Sequence, residues 1–231
     1  MEEISIKVPP TVILYHSDWK PIINKIASHY ESIYKYINDD INPSINNIFD
    51  FLKISLSDKR VALVGRDPYP TDATGIAFQS PDFSKKSIQN IATKIKKEFM
   101  YSKKYTNYDL SIIEGVIVLN FSPSCRTKET GSHEIYWKDL SMDIINFISK
   151  FVRIILFFGK TKFFRISNEI NREAVIPLVI THPSDYNGNF LSEDLIPFSV
   201  INNLLRILNL EIIDWCSGFI NNEISNTKTE Y

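Results

Sequence analysis

Val61-Ala62-Leu63-Val64-Gly65-Arg66-Asp67-Pro68-Tyr69-Pro70 sets a continuous apolar run against a glycine, two charges and two prolines. An apolar run without alternation suits a strand covered on both faces, as in a parallel sheet. Three further stretches repeat the pattern. Val116-Ile117-Val118-Leu119 ends on Asn120, Ile154-Ile155-Leu156-Phe157-Phe158 ends on Gly159-Lys160, and Val175 to Ile180 ends on Thr181-His182-Pro183. Helical periodicity follows each run, at about 84–99, 135–151, 160–170 and 192–208. This alternation predicts an α/β fold: a three-layer α/β/α sandwich around a central four-stranded, mainly parallel sheet. Ligands of such sheets bind beyond the carboxyl ends of the strands. All four runs carry their polar residues at that end, so Asp67, Asn120, Gly159-Lys160 and His182 are expected on one rim.

Outward from this centre the signals are shorter. Ile4 to Tyr15 holds two β-prone runs split by Pro9-Pro10, which reads as an edge hairpin or arm. Ser17 or Asp18 is expected to cap a helix running to about Tyr36, with Ile22, Ile23, Ile26, Tyr30, Ile33 and Ile37 on its apolar face. After Asn42-Pro43-Ser44 a short helix is expected to about Leu52. Ile212-Ile213-Asp214-Trp215 reads as a short extra strand, and 221–231 as a frayed polar tail. With no internal repeat or long linker, 1–231 is read as a single domain, with 1–16 as its arm.

Bulk composition excludes several function classes. Hydrophobic residues make up 44% and charged residues 23%, so the chain is globular rather than disordered. Lys+Arg number 26 against Asp+Glu 27, a net charge of −1, so contact with nucleic acid must come from local basic groups. Two cysteines without a CxxC pair and four histidines make a zinc site improbable, and no metal or cofactor is expected. The acidic start Met1-Glu2-Glu3-Ile4 is unlike a signal peptide, and no apolar run reaches the ~18 residues of a membrane span. A soluble intracellular protein is expected. No Gly-rich phosphate loop of a common type is present, which weakens a nucleotide-binding reading.

The residues able to carry chemistry lie where the strands end. Two prolines in the loop 65–70 stiffen it and hold Asp67 and Tyr69 out for presentation, although a rigid turn with a solvated Asp fits equally well. Asn120 offers one acceptor and two donors in a plane, the complement of the O4 and N3–H edge of uracil. Taken alone, Asn120 and His182 are more simply strand-end residues satisfied by backbone, and Phe78 a core residue. Arg66, Lys85, Lys86, Arg126, Lys128, Lys160 and Lys162 follow strands or start helices, where they reach either phosphates or solvent.

In their order, these segments resemble the uracil-DNA glycosylase family. Gly65 to Pro70 resembles its water-activating loop, Gly75-Ile76-Ala77-Phe78 its base-stacking segment, Gly115 to Asn120 its uracil-reading strand, and Thr181-His182-Pro183-Ser184 its histidine loop. Tyr15 to Trp19, Ser132 to Trp137, Phe158 to Thr161 and Asp214 to Phe219 resemble the poxvirus branch, so the likeness spans about Val12 to Phe219. It implies hydrolysis of the N-glycosidic bond of deoxyuridine in DNA, within base excision repair. Asp67 and His182 would be catalytic. Arg66, Tyr69, Phe78 and Asn120 would bind the base, and Lys86, Ser87, Lys160, Ser184 and Tyr186 the DNA. Most members carry Gln where Arg66 stands, His where Pro70 stands, and an apolar wedge where Asp185 to Asn189 stand. Poxvirus relatives also serve in the DNA polymerase processivity factor. The alternative is therefore a DNA-binding scaffold with weak residual activity, docked to a viral partner protein and through it to the polymerase, through 163–175 and the C-terminal helix. A homodimer and residence at replication sites in the host cytoplasm, with packaging in the virion, complete the expectations drawn from the resemblance.

Overall fold

Residues 4–170, 173–184, 189–192, 194 and 196–221 are described by the structure, a computed structural model. The four apolar runs form β3 (Val61–Gly65), β5 (Val116–Asn120), β6 (Ile154–Phe158) and β7 (Ile176–Ile180), in the order β5-β3-β6-β7, all parallel. Before them come the hairpin of β1 (Ile4–Val8) and β2 (Thr11–Tyr15) and the helix α1 (Ile23–Ile37). The remaining elements are α2 (Lys86–Glu98), β4 (Asn107–Tyr108), α3 (Glu134–Ile148), α4 (Lys160–Glu169), α5 (Asn189–Ser192), α6 (Pro197–Ile207) and β8 (Phe219–Ile220).

Successive strand residues point to opposite faces, so each run feeds two cores. Ala62, Val64, Ile117, Leu119, Ile155 and Phe157 face α1, α3 and α4, meeting Tyr30, Trp137, Ile144 and Phe163. Val61, Leu63, Val116, Val118, Ile154, Leu156 and Phe158 face α2, α5 and α6, meeting Ile88, Ile91, Phe190, Phe198 and Leu205. A fully buried aliphatic side chain contributes about 1.5–3 kcal/mol. These residues therefore bear on both layers at once. Pro177 is tolerated because β7 is an edge strand, where a missing N–H breaks no inner ladder.

Crossover handedness then places the site. Right-handed connections require the chain to change face when it reverses direction along a sheet. From β3 to β5 it moves one way, through α2 on one face. From β5 back past β3 to β6 and β7 it moves the other way, through α3 and α4 on the opposite face. The loop after β3 thus leaves toward one layer and its neighbours toward the other, the arrangement beside which ligands of such sheets bind.

The structure differs from the sequence reading at element ends. The first helix begins at Ile23 rather than Ser17, because Ser17–Trp19 forms a separate 3-10 turn ahead of Pro21. The last helix is divided in two, with Pro197 starting α6. Residues 44–52 make turns and one 3-10 turn, Asp50–Lys53. Ile212 to Trp215 is not a strand. The Ile213 N–H and C=O are both taken by the Asn202 side chain (3.0 and 2.9 Å), which leaves nothing for a ladder. The extra C-terminal strand is β8, paired antiparallel with β4. From 222 onward the expected frayed tail lies outside the described residues.

Candidate active site

The loop after β3 has its carbonyls engaged one by one. Gly65 O accepts from Phe121 N and Arg66 O from Ser122 N, both at 2.9 Å, which continues the β3–β5 pairing past the strand ends. The Tyr69 carbonyl accepts from Asn42 Nδ2 (2.5 Å) and that of Pro70 from Lys128 N (2.7 Å), while the Cys125 thiol lies 3.9 Å from Pro68 O. Two prolines and these bonds leave the loop one conformation from which to present Asp67 and Tyr69.

Gly65 and Asn120 are register partners at the ends of adjacent strands. A Cβ at position 65 would stand 2.9 Å from Asn120 Oδ1 and 2.9 Å from Phe78 Cζ. Glycine is therefore what lets the planar amide and the aromatic ring meet over this backbone. Phe78 has φ 60°, is 7% exposed and packs edge-on against Phe158 at 5.0 Å. Its carbonyl accepts from Tyr69 Oη (3.3 Å), which itself accepts from Ser87 Oγ (2.9 Å). Burial pushes the Tyr69 phenol up to about 12, so it stays protonated and able to donate.

Asp67 accepts a hydrogen bond from the Gly131 N–H. Burial pushes its carboxyl above the usual aspartate range, against the pull of that N–H and of the Arg66 and Lys162 charges. Gly131 has φ 79°, and a side chain there would strike the Arg66 guanidinium. Arg66 Nε reaches Glu134 Oε2 at 3.3 Å, and Lys162 Nζ reaches the same oxygen at 2.8 Å. Burial lowers the Lys162 ammonium, with Glu134 opposing the shift.

His182 stands two residues beyond β7. Its Nδ1 accepts from Ser184 N (3.2 Å) and meets Ser184 Oγ at 2.8 Å. With Nδ1 turned to Ser184, Nε2 is the ring nitrogen left to face the rim. Asn90 Nδ2 of α2 donates to Pro183 O (2.6 Å) and fastens the histidine loop to the layer beside Phe78.

Strand order brings Asn120, Asp67 and His182 to one edge of the sheet, as expected, with Phe78 and Tyr69 folded over it. The basic groups fare differently. Lys162 is largely buried against Phe121 and Phe163 and paired with Glu134, so it is neither of the two things its position allowed, a phosphate contact or a solvated surface lysine. Arg66, Lys85 and Arg126 are likewise paired, with Glu134, Asp72 and Glu129. Ser87 is 3% exposed and spends its hydroxyl on Tyr69, whose phenol oxygen also takes the Ile88 N–H. Lys86 and Lys160 are exposed at the first turns of α2 and α4. Tyr186 lies outside the described residues. Sequence reasoning missed Gly131 and Glu134. The available signal was an acid at a helix start facing an arginine at a strand end.

No protein-family model matches the chain. The uracil-DNA glycosylase of Fowlpox virus (strain NVSL) is 40% identical over 220 residues, covering 95% of this chain and 99% of the relative. The chain belongs to the uracil-DNA glycosylase family. The uracil-DNA glycosylase of Mycoplasma genitalium is 28% identical over 184 residues, 74% of each chain. A crystal structure of mimivirus uracil-DNA glycosylase superposes with a TM-score of 0.72 at 20% identity, over 87% of each chain, a likeness of fold. The uracil-DNA glycosylase scaffold thus agrees with the sheet order and the covering helices seen in this family member.

Proposed function

We propose that the chain excises flipped-out uracil from DNA by hydrolysing its N-glycosidic bond. The observation that carries this reading is the meeting of the Asn120 amide and the Phe78 ring over Gly65, beside the Asp67 loop. A planar ring beside a planar amide suits a flat pyrimidine read along its polar edge. Asn120 pairs with uracil O4 and N3–H, a set that cytosine presents with opposite polarity. Tyr69 fills the space into which the thymine methyl would project. Arg66 contributes its backbone N–H, since Glu134 occupies its side chain.

The bond breaks with positive charge on the sugar and negative charge on the departing base. Asp67 stabilises the first and orients the attacking water. His182, with Nδ1 turned to Ser184, donates from Nε2 to uracil O2 as charge grows there. A fixed donor aimed at developing charge supplies ~2.7–4 kcal/mol. Lys86, the Ser87 N–H, Lys160, Ser184 and Tyr186 hold the DNA. The test is uracil release from a single-stranded oligonucleotide by purified protein, with His182→Leu slowing cleavage more than DNA binding. No release by the wild-type chain would remove the enzyme reading.

A second reading, as a component of a viral polymerase processivity factor, draws support from one feature. A cavity of about 380 Å³ is lined by Arg153, Glu173, Ala174, Val175, Ile176 and Leu208, between the end of the 163–175 segment and the end of α6. Ile207, 74% exposed, adjoins it in sequence. Binding of the viral replication partner, lost on Leu208→Asp with uracil release kept, supports this role; undiminished binding refutes this surface.

A further inference from the structure

Glu134 opens α3, three residues after the glycine whose N–H holds Asp67. An acid in a first helical turn is ordinarily explained by the helix dipole. Here its Oε2 also takes Lys162 Nζ from α4 (2.8 Å) and Arg66 Nε from the loop after β3 (3.3 Å). Burial raises the Glu134 carboxyl and these two bonds more than reverse the rise, so it stays ionised.

Given the reading of Asp67 as the catalytic carboxylate, we propose that Glu134 is a positioning residue that sets the aim and the ionisation of Asp67. The aim is mechanical. Glu134 holds Arg66, the Arg66 guanidinium lies where a side chain at Gly131 would be, and the Gly131 N–H is bonded to Asp67. The ionisation is electrostatic. Arg66 and Lys162 both stabilise a negative Asp67, and Glu134 opposes them. Without Glu134, two uncompensated cations would face the sugar as it becomes positive in the transition state, and would weaken Asp67 as a base.

The other groups around Asp67 leave this balance to the three charges. The Cys125 thiol, pushed up to about 11 by burial, stays neutral. His182, at the far end of the rim, is turned to Ser184 through Nδ1 and is not among the charges acting on Asp67. Lys162 is held over the Phe121 ring at 4.5 Å and the Phe163 ring at 5.3 Å, so its charge cannot swing clear at little cost.

The experiment follows the Asp67 carboxyl carbon by NMR titration in the full chain, beside the pH profile of kcat for uracil release. Glu134→Gln is expected to move the Asp67 titration and the acid limb of kcat to lower pH by about half to one unit. Plateau kcat is expected to fall on the order of tenfold with no rise in KM, because the site gains positive charge toward DNA. Lys162→Gln is expected to move the titration upward, and Glu134→Gln with Lys162→Gln to return it toward wild type. An Asp67 titration unmoved by Glu134→Gln overturns the proposal even if kcat falls, since a purely structural role costs rate without moving an ionisation. Shifts of the same sign in both single variants also overturn it. If the wild-type chain released no uracil, the catalytic reading of Asp67 would fail while the titration still decided the link to Glu134.

Discussion

The amide oxygen of Asn120 occupies the space beside Gly65 that any side chain at position 65 would need. The two residues pair across β3 and β5, so the Asn120 amide and the strand backbone beneath it are set by one register. Gly65→Ala is expected to displace both Asn120 and Phe78. Overpacking of this kind costs about 1–3 kcal/mol, so the melting temperature should fall by roughly 2–10 °C. Uracil release should drop on the order of tenfold or more, read as kcat/KM. Wild-type rate and stability together would show that the strand ends part without consequence.

Asp67→Asn is expected to lower kcat on the order of a hundredfold or more while DNA affinity stays within severalfold. Burial raises the folded-state Asp67 carboxyl, so its contribution to stability is fully present at low pH and is lost as pH rises through the folded value. The Asn variant should therefore melt no lower than wild type at neutral pH, and its advantage should vanish in acid. The acid limb of wild-type kcat should lie above the usual aspartate range for the same reason. A variant markedly less stable at pH 7 would contradict this sign.

Tyr69→Ala should admit thymine, detected as base release from a thymine-only oligonucleotide. Tyr69→Phe keeps the ring but loses the bonds to Ser87 and to the Phe78 carbonyl, each about 1 kcal/mol, so uracil release should slow about fivefold or more with thymine still excluded. Indifference of thymine release to the Ala change would count against a steric gate.

Asn120→Asp inverts part of the polar edge. Its uracil release is expected to fall on the order of a hundredfold or more, and its preference for uracil over cytosine to narrow in a competition assay. An unchanged preference would take the reading role from Asn120.

β3, β5 and β6 were legible because both faces of each are covered, which removes polar alternation from the chain, and β7, half-buried from Ile176 to Val179, was legible from its unbroken apolar residues. The rim followed from their shared direction. Element ends were less legible. Pro21 and Pro197 reset helix starts in ways that periodicity does not see. The misread strand at Ile212 depended on Asn202, whose partner is fixed only once α6 packs. Two-residue β4 is too short to carry a pattern. The Glu134 cluster was hidden for a related reason. Its three charges come from residues 66, 134 and 162 on separate elements, and each alone looks like solvated surface.

The engaged carbonyls of residues 65, 66, 68, 69 and 70 have a consequence for how the reaction is shared between partners. A segment already committed at nearly every peptide has little freedom to surrender when a nucleotide arrives. If the chain excises a flipped base as proposed, the deformation needed to seat it falls on the DNA duplex, so weakly paired or unpaired targets should be processed first.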